Sequence, residues 1–178
     1  MKWAAVAIAV IGLAAAGCGT SEGGAKGGNA VPVAPRPEGT GSLTKDFVRA
    51  DLDAAAAAAG VPANAPKYAL GYEQAPADSQ LSCAVGFMGS REEKAKVDVA
   101  RYDAVLRELG KRGWQQEGEP QRRKDKSGKP SDAMVGLGQR GWRLTAEYRS
   151  LDNGGTIRLL AFDDACMKAH GLQAAPVG

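Results

Sequence analysis

The sequence predicts an α+β domain, a mainly antiparallel sheet of four or five strands with two helices packed on one face, in the order α-β-α-β-β-β(-β). Three observations predict it. Two stretches before residue 113 carry apolar residues at helical spacing. After it, Trp142, Leu144, Ala146 and Tyr148 alternate with Arg143, Thr145, Glu147 and Arg149, the period of a half-buried strand. Asp152-Asn153-Gly154-Gly155 then reads as a tight turn, so the flanking strands should pair as a hairpin and run antiparallel.

Taken in order, the first helix is expected at about 44 to 59. Phe47, Val48, Leu52, Ala55, Ala56 and Ala59 form its stripe, Ser42 or Thr44 can cap it, and Gly60 and Pro62 end it. The alanine run from Ala54 to Ala59 gives strong helix propensity and a thin face that can approach a sheet closely. A Pro- and Ala-rich loop follows. A strand is expected at about 80 to 88, where Leu81, Cys83, Val85 and Phe87 alternate with Ser82, Ala84, Gly86 and Met88. Ser90 and Glu93 read as a capping box that opens a second helix running to about Arg112, with Val99, Tyr102, Val105, Leu106 and Leu109 inward. Trp114 to Glu119 starts a strand, the polar segment Gln121 to Asp132 interrupts it, and Met134 to Leu137 forms a short strand. The strand from Trp142 and a last one at about Thr156 to Phe162 complete the sheet.

Both ends of the chain lie outside this domain. Met1 and Lys2 give a positively charged start, and Trp3 to Gly17 is an uncharged run of fifteen residues. That is shorter than the roughly twenty residues needed to cross a bilayer, and it suits a secretory signal. Ala15-Ala16-Gly17-Cys18, with Leu13 upstream, resembles the lipobox of bacterial lipoproteins, although Ala15 stands where that class usually carries leucine. The resemblance covers residues 1 to 18 only. It implies diacylglycerol on the Cys18 thiol, cleavage before Cys18, and a protein attached to the extracytoplasmic side of the cell membrane, since two acyl chains are enough for stable attachment.

The expected organisation is therefore a signal peptide at 1–17, lipidated Cys18 with a tether to residue 42, one domain at 43–170, and a disordered tail at 171–178. The tether holds seven glycines and three prolines in its 24 residues from Gly19 to Ser42, with little to bury. As a flexible coil its ends lie on the order of 25 Å apart. Removal of residues 1–17 leaves 161 residues, enough for one domain, expected to be monomeric.

The formal net charge of +3 falls to about +2 when Lys2 is lost, which argues against a dedicated nucleic-acid binder. Two cysteines remain beside Cys18. In an oxidising compartment Cys83 and Cys166 are expected to form one disulfide.

Few motifs carry chemistry. Gly136-Leu137-Gly138-Gln139-Arg140-Gly141 matches G-x-G-x-x-G, but residues with strand periodicity follow it where a dinucleotide site needs a helix amino terminus. A near-repeat, Leu109 to Trp114 and Leu137 to Trp142, agrees at five of six positions and is read as two strand entrances that each bury a tryptophan. His170, the sole histidine, is expected beside the loose tail and is a poor base or metal ligand there. No catalytic residue, metal site or cofactor is assigned. The notable surface feature is basic: Arg122, Arg123, Lys124, Lys126 and Lys129 against Asp125 alone, with Arg143 and Arg149 on the second face of the sheet as further anion-binding candidates.

These features lead to the expectation of a lipid-anchored envelope protein with a non-catalytic binding or interaction domain. An acidic envelope polymer or protein would be its partner, beside the membrane itself. The alternatives are a small hydrolase or modifying enzyme acting on envelope material, and an inhibitor or immunity-type lipoprotein.

Overall fold

The computed structural model describes residues 39–90, 96–152 and 154–172. The expected signal peptide, Cys18, the tether up to residue 38, Glu93, Asn153 and the tail from residue 173 lie outside the described residues. The fold is α+β, as expected. Helices α1 (Lys45–Ala58) and α2 (Pro66–Glu73) and a short 3-10 turn (Gln80–Cys83) precede strand β1 (Ala84–Ser90) and helix α3 (Val99–Lys111). Strands β2 (Gln115–Lys124), β3 (Pro130–Gln139), β4 (Trp142–Leu151) and β5 (Gly154–Asp163) follow, and helix α4 (Asp164–Ala169) ends the described chain. The five strands form one antiparallel sheet in the order β1-β5-β4-β3-β2.

Helix α1 starts and stops where its sequence signals stand. The Thr44 hydroxyl accepts from the Phe47 amide, and at the other end Gly60 N–H and Val61 N–H bond back to the carbonyls of Ala57 and Ala56. This paired closure needs a left-handed residue, and Gly60 supplies it at φ 69°. The same closure ends α3 at Gly113 (φ 87°) and α4 at Gly171 (φ 69°). In α3 it places Trp114 immediately after the helix, its amide bonded to the Leu109 carbonyl and its ring buried.

One face of the sheet carries the core. Val85, Phe87, Ile157, Leu159, Ala161, Leu144, Ala146, Tyr148, Val135 and Leu137 point toward α1 and α3, which contribute Val48, Leu52, Ala55, Tyr102, Val105 and Leu109. Each large side chain so buried stabilises the fold by about 1.5–3 kcal/mol of transfer free energy. The Tyr102 hydroxyl donates to the Ala146 carbonyl at 3.1 Å, so the helix layer is also hydrogen-bonded to β4.

Several local expectations are corrected. The loop after α1 contains α2, which has no fully buried residue and therefore no apolar stripe to read. Residues 80–83 are a 3-10 turn rather than strand. Ser82 N–H and its hydroxyl both donate to the Ser79 carbonyl, and Leu81 is exposed instead of sharing the inward face of Val85 and Phe87. Ser90 ends β1 and does not cap α3. Asp98 caps it, accepting from the Arg101 amide at 3.1 Å, with Val97 and Tyr102 buried at the staple positions around that cap. The segment from Gln121 to Asp132 does not interrupt a strand. β2 runs to Lys124 and β3 begins at Pro130, and β2 shows no alternation because every one of its residues is exposed. Gly171 and Leu172, assigned to the tail, close α4 through the Leu172 amide on the Met167 carbonyl.

The two sheet edges are handled differently. β1 is covered along its free edge by the segment leading into α2. The Asn64 side chain donates to the Gly86 carbonyl and accepts from the Met88 amide, both at 2.9 Å, and Ala65 N–H donates to the Met88 carbonyl at 3.0 Å. Asn64 and Ala65 thus act as two residues of a missing sixth strand. β2, at the other edge, is left open, charged, and shifted in register between Glu117 and Gln121.

Candidate anion-binding surface

The tip of the β2–β3 hairpin, residues 123 to 130, is exposed throughout, whereas Ala133, Val135 and Leu137 further along β3 belong to the core. The base of the hairpin is paired by Gln115↔Gly138 and Glu117↔Gly136, and pairing resumes at Gln121↔Met134 after the register shift around Gly118 and Pro120. An irregularity of this kind bends an edge strand and increases its local twist. The tip is organised by Asp125. One of its carboxylate oxygens accepts from Ser127 N–H and hydroxyl (2.7 Å each) and from Lys129 N–H (3.0 Å). Those bonds, led by the Ser127 hydroxyl, hold the Asp125 carboxyl below the usual carboxylate range.

Around that tip the predicted cations divide into two groups. Arg122 lies on the helix side of the hairpin, where its guanidinium pairs with Asp103 of α3 at 2.6 Å. The charge-assisted bond raises the affinity of Arg122 for its proton. Arg143 pairs with Asp164 at 2.7 Å at the opposite end of the sheet, and Arg149 lies between Asp132 (3.5 Å) and Glu147 (3.3 Å). Arg158 also pairs with Glu147. By contrast, Arg123, Lys124, Lys126 and Lys129 have no ion-pair partner among the described residues and are all exposed.

The structure therefore brings together the cations of the tip and not the seven candidates as one cradle. Arg143 and Arg149 share the second face, as their alternation predicts, but their charges are met by carboxylates already in place. Six residues of strand, roughly 20 Å, separate Arg143 from Arg149.

The glycine motif lies in the β3–β4 hairpin. Gly136 and Gly138 are in β3, and Arg140 (φ 44°) and Gly141 (φ 82°) form a two-residue turn with both centres left-handed, the geometry that a tight antiparallel hairpin requires. No helix follows, so no phosphate cradle exists there. Both tryptophans of the near-repeat stand at strand entrances and are buried, each with its indole N–H bonded toward the first helix: Trp114 to the Asp51 carboxylate at 3.1 Å, Trp142 to the Leu43 carbonyl at 2.8 Å. Asp51, which also faces Arg112 at 3.6 Å, was not singled out from the sequence. Its signal was a carboxylate set within the apolar stripe of α1.

Beside this turn lies a cleft of about 480 Å³ lined by Gln115, Gln116, Glu117, Gln139, Arg140, Arg143 and Asp164 among others. It contains two carboxylates, but Asp164 is held by Arg143. Glu117 lies over Gly138, whose missing side chain leaves room for it.

The two remaining predicted residues meet at the other end of β1. Cys83, at the end of the 3-10 turn, is disulfide-bonded to Cys166 in α4, with their Cα atoms 5.5 Å apart. His170, expected near a loose tail, is instead the C-cap of α4. No family model, no curated protein and no solved structure matches this chain.

Proposed function

We propose that this chain is an exported protein of the cell envelope, attached to the membrane through lipid on Cys18, whose domain binds an anionic envelope polymer through the tip of the β2–β3 hairpin. The observation that carries the binding reading is the tip itself, where Arg123, Lys124, Lys126 and Lys129 project from a rigid turn without ion-pair partners. A chain of spaced negative charges meets such a group at low cost, because the cations are already solvent-exposed and no existing ion pair must be broken.

The lipobox-like residues 15–18 support the anchor. The Cys83–Cys166 disulfide is consistent with an oxidising compartment. Among the described residues no helix is long and apolar enough to cross a membrane.

The test replaces Arg123, Lys124, Lys126 and Lys129 with serine and measures retention on purified envelope across a salt series. Wild-type retention should fall steeply with salt and the variant should start lower with a shallower slope. Equal profiles would remove the binding reading, and retention on envelope stripped of polymer but not of protein would redirect it to an acidic protein. Mass spectrometry of the membrane fraction should find acylated Cys18 as the first residue. A soluble product beginning elsewhere would remove the anchor.

A further inference from the structure

The disulfide and the only histidine of the chain meet at one point. The sulfurs of Cys83 and Cys166 and a ring nitrogen of His170 all lie within 4.8 Å of one another. Cys83 is buried, Cys166 half-buried and His170 exposed, so the group has one side open to solvent. Cys166 and His170 are four residues apart on one helical turn, which puts both on the same side of α4.

We propose that, once its disulfide is reduced, this group is a Cys2His site for one thiophilic metal ion of the zinc class. A dithiol reductant attacks one sulfur, the Cys83–Cys166 bond breaks, and the two electrons that cleave it leave the reductant as a disulfide. The two released thiols give up their protons to solvent on binding the ion, and the neutral imidazole of His170 adds the third ligand. Water fills the fourth position on the exposed side, the arrangement of an open zinc site. In the oxidised chain both sulfurs are consumed by each other and the site does not exist.

Contacts other than the disulfide also hold the ligands in place. Cys83 immediately precedes Ala84, which pairs with Phe162 across the β1–β5 ladder, and α4 begins two residues after Phe162. The Asp163 carboxylate caps α4 by accepting from the amides of Ala165 and Cys166 at 2.9 and 3.2 Å. Buried Met167 and the closing bond from Leu172 hold its other end. Two thiolates on one zinc ion stand about 3.8 Å apart, given zinc–sulfur bonds near 2.3 Å. Side-chain rotation can supply that separation from Cα atoms 5.5 Å apart.

The test uses the full chain with Cys18→Ser, so that the two remaining thiols are those of the pair. It is reduced with a phosphine, its fold is checked by circular dichroism, and zinc is titrated against a chromophoric chelator. The reduced chain should bind one zinc ion and the oxidised chain none. Cobalt(II) in place of zinc should show a thiolate-to-cobalt charge-transfer band. His170→Ala, an exposed cap change that leaves the core untouched, should weaken zinc by more than about tenfold, since losing even an outer partner of a ligand costs that much. Equal affinity of His170→Ala and its parent overturns the proposal, as does equal binding by oxidised and reduced chains or no binding at all. If reduction loosens the domain, recovery of the native spectrum on adding zinc supports the site, and failure to recover overturns it.

Discussion

Trp114 donates its indole N–H to the carboxylate of Asp51 across 3.1 Å, from residues 63 positions apart in the chain. Asp51 is 3 % exposed, and the guanidinium of Arg112 approaches its other oxygen at 3.6 Å. A carboxylate so enclosed persists because both partners arrive together. The closure of α3 at Gly113 delivers Arg112 and Trp114 to α1 at once. Asp51→Ala removes the acceptor and leaves an indole N–H and a guanidinium facing a cavity, so it should cost about 2–4 kcal/mol. Asp51→Asn, which keeps an acceptor for Trp114, should cost less. Urea unfolding followed by tryptophan fluorescence measures both, and equal losses would mean that the bond to Trp114 contributes nothing.

Gly86 and Gly138 test how the second face of the sheet is built. Both lie on the face opposite the core, and a Cβ added at either would meet a neighbouring side chain, the Tyr72 ring at 2.2 Å for Gly86 and the Glu117 carboxylate at 2.0 Å for Gly138. The outcomes should differ. Glu117 is exposed and flexible and can swing aside, so Gly138→Ala should change stability by less than about 0.5 kcal/mol. Tyr72 is half-buried, its ring tilted against that of Tyr68 with centroids 5.1 Å apart, and held in α2, so Gly86→Ala must displace the ring or the helix and should cost about 1–3 kcal/mol. Thermal unfolding of the two variants side by side decides it.

What could be read from the sequence follows from which surfaces are buried on one side only. Trp142, Leu144, Ala146 and Tyr148 are buried while Arg143, Thr145 and Glu147 are not, so β4 carries a clean period of two. β2 is exposed on both faces, and its strand character comes from the ladder to β3 rather than from any stripe. α2 packs with Tyr68 and Tyr72 only partly covered, and its eight residues hold no apolar face to find. At the candidate sites, the even cysteine pair announced the disulfide. The place of His170 was hidden because α4 is only six residues long, too short to show a helical stripe.

Asn64 gives a third prediction. Its amide supplies both a donor and an acceptor to the free edge of β1, at Gly86 and Met88, so no single polar atom can replace it. Asn64→Ala should cost about 1–2 kcal/mol, the net worth of two hydrogen bonds at a half-covered edge. Asn64→Asp should lose nearly as much, since a carboxylate can still accept from Met88 N–H but faces the Gly86 carbonyl without a proton to give. Hydrogen exchange reads the effect locally. The Met88 amide should exchange faster in Asn64→Ala, while that of Leu144, in the central strand, should change only as far as global stability falls.

The last prediction concerns pH at the basic tip. Hydrogen bonds from the Ser127 hydroxyl, then from the amides of Lys129 and Ser127, together with the Lys129 charge, hold the Asp125 carboxyl below its ordinary 3.8. A carboxyl depressed in the folded chain favours the folded turn above its unfolded value, and that contribution is lost as pH falls through the lower folded value. The amide resonances of Ser127 and Lys129 should therefore be constant from neutral pH down to about 4 and should then shift together with a midpoint below 3.8. In Asp125→Asn the shift should vanish, because the amide oxygen can still accept but has nothing to titrate. That variant also removes the one negative charge among the tip's cations, so its retention on anionic envelope at low salt should rise above wild type if the tip is the binding surface. A midpoint at or above 3.8 would show that the turn does not favour the ionised carboxylate.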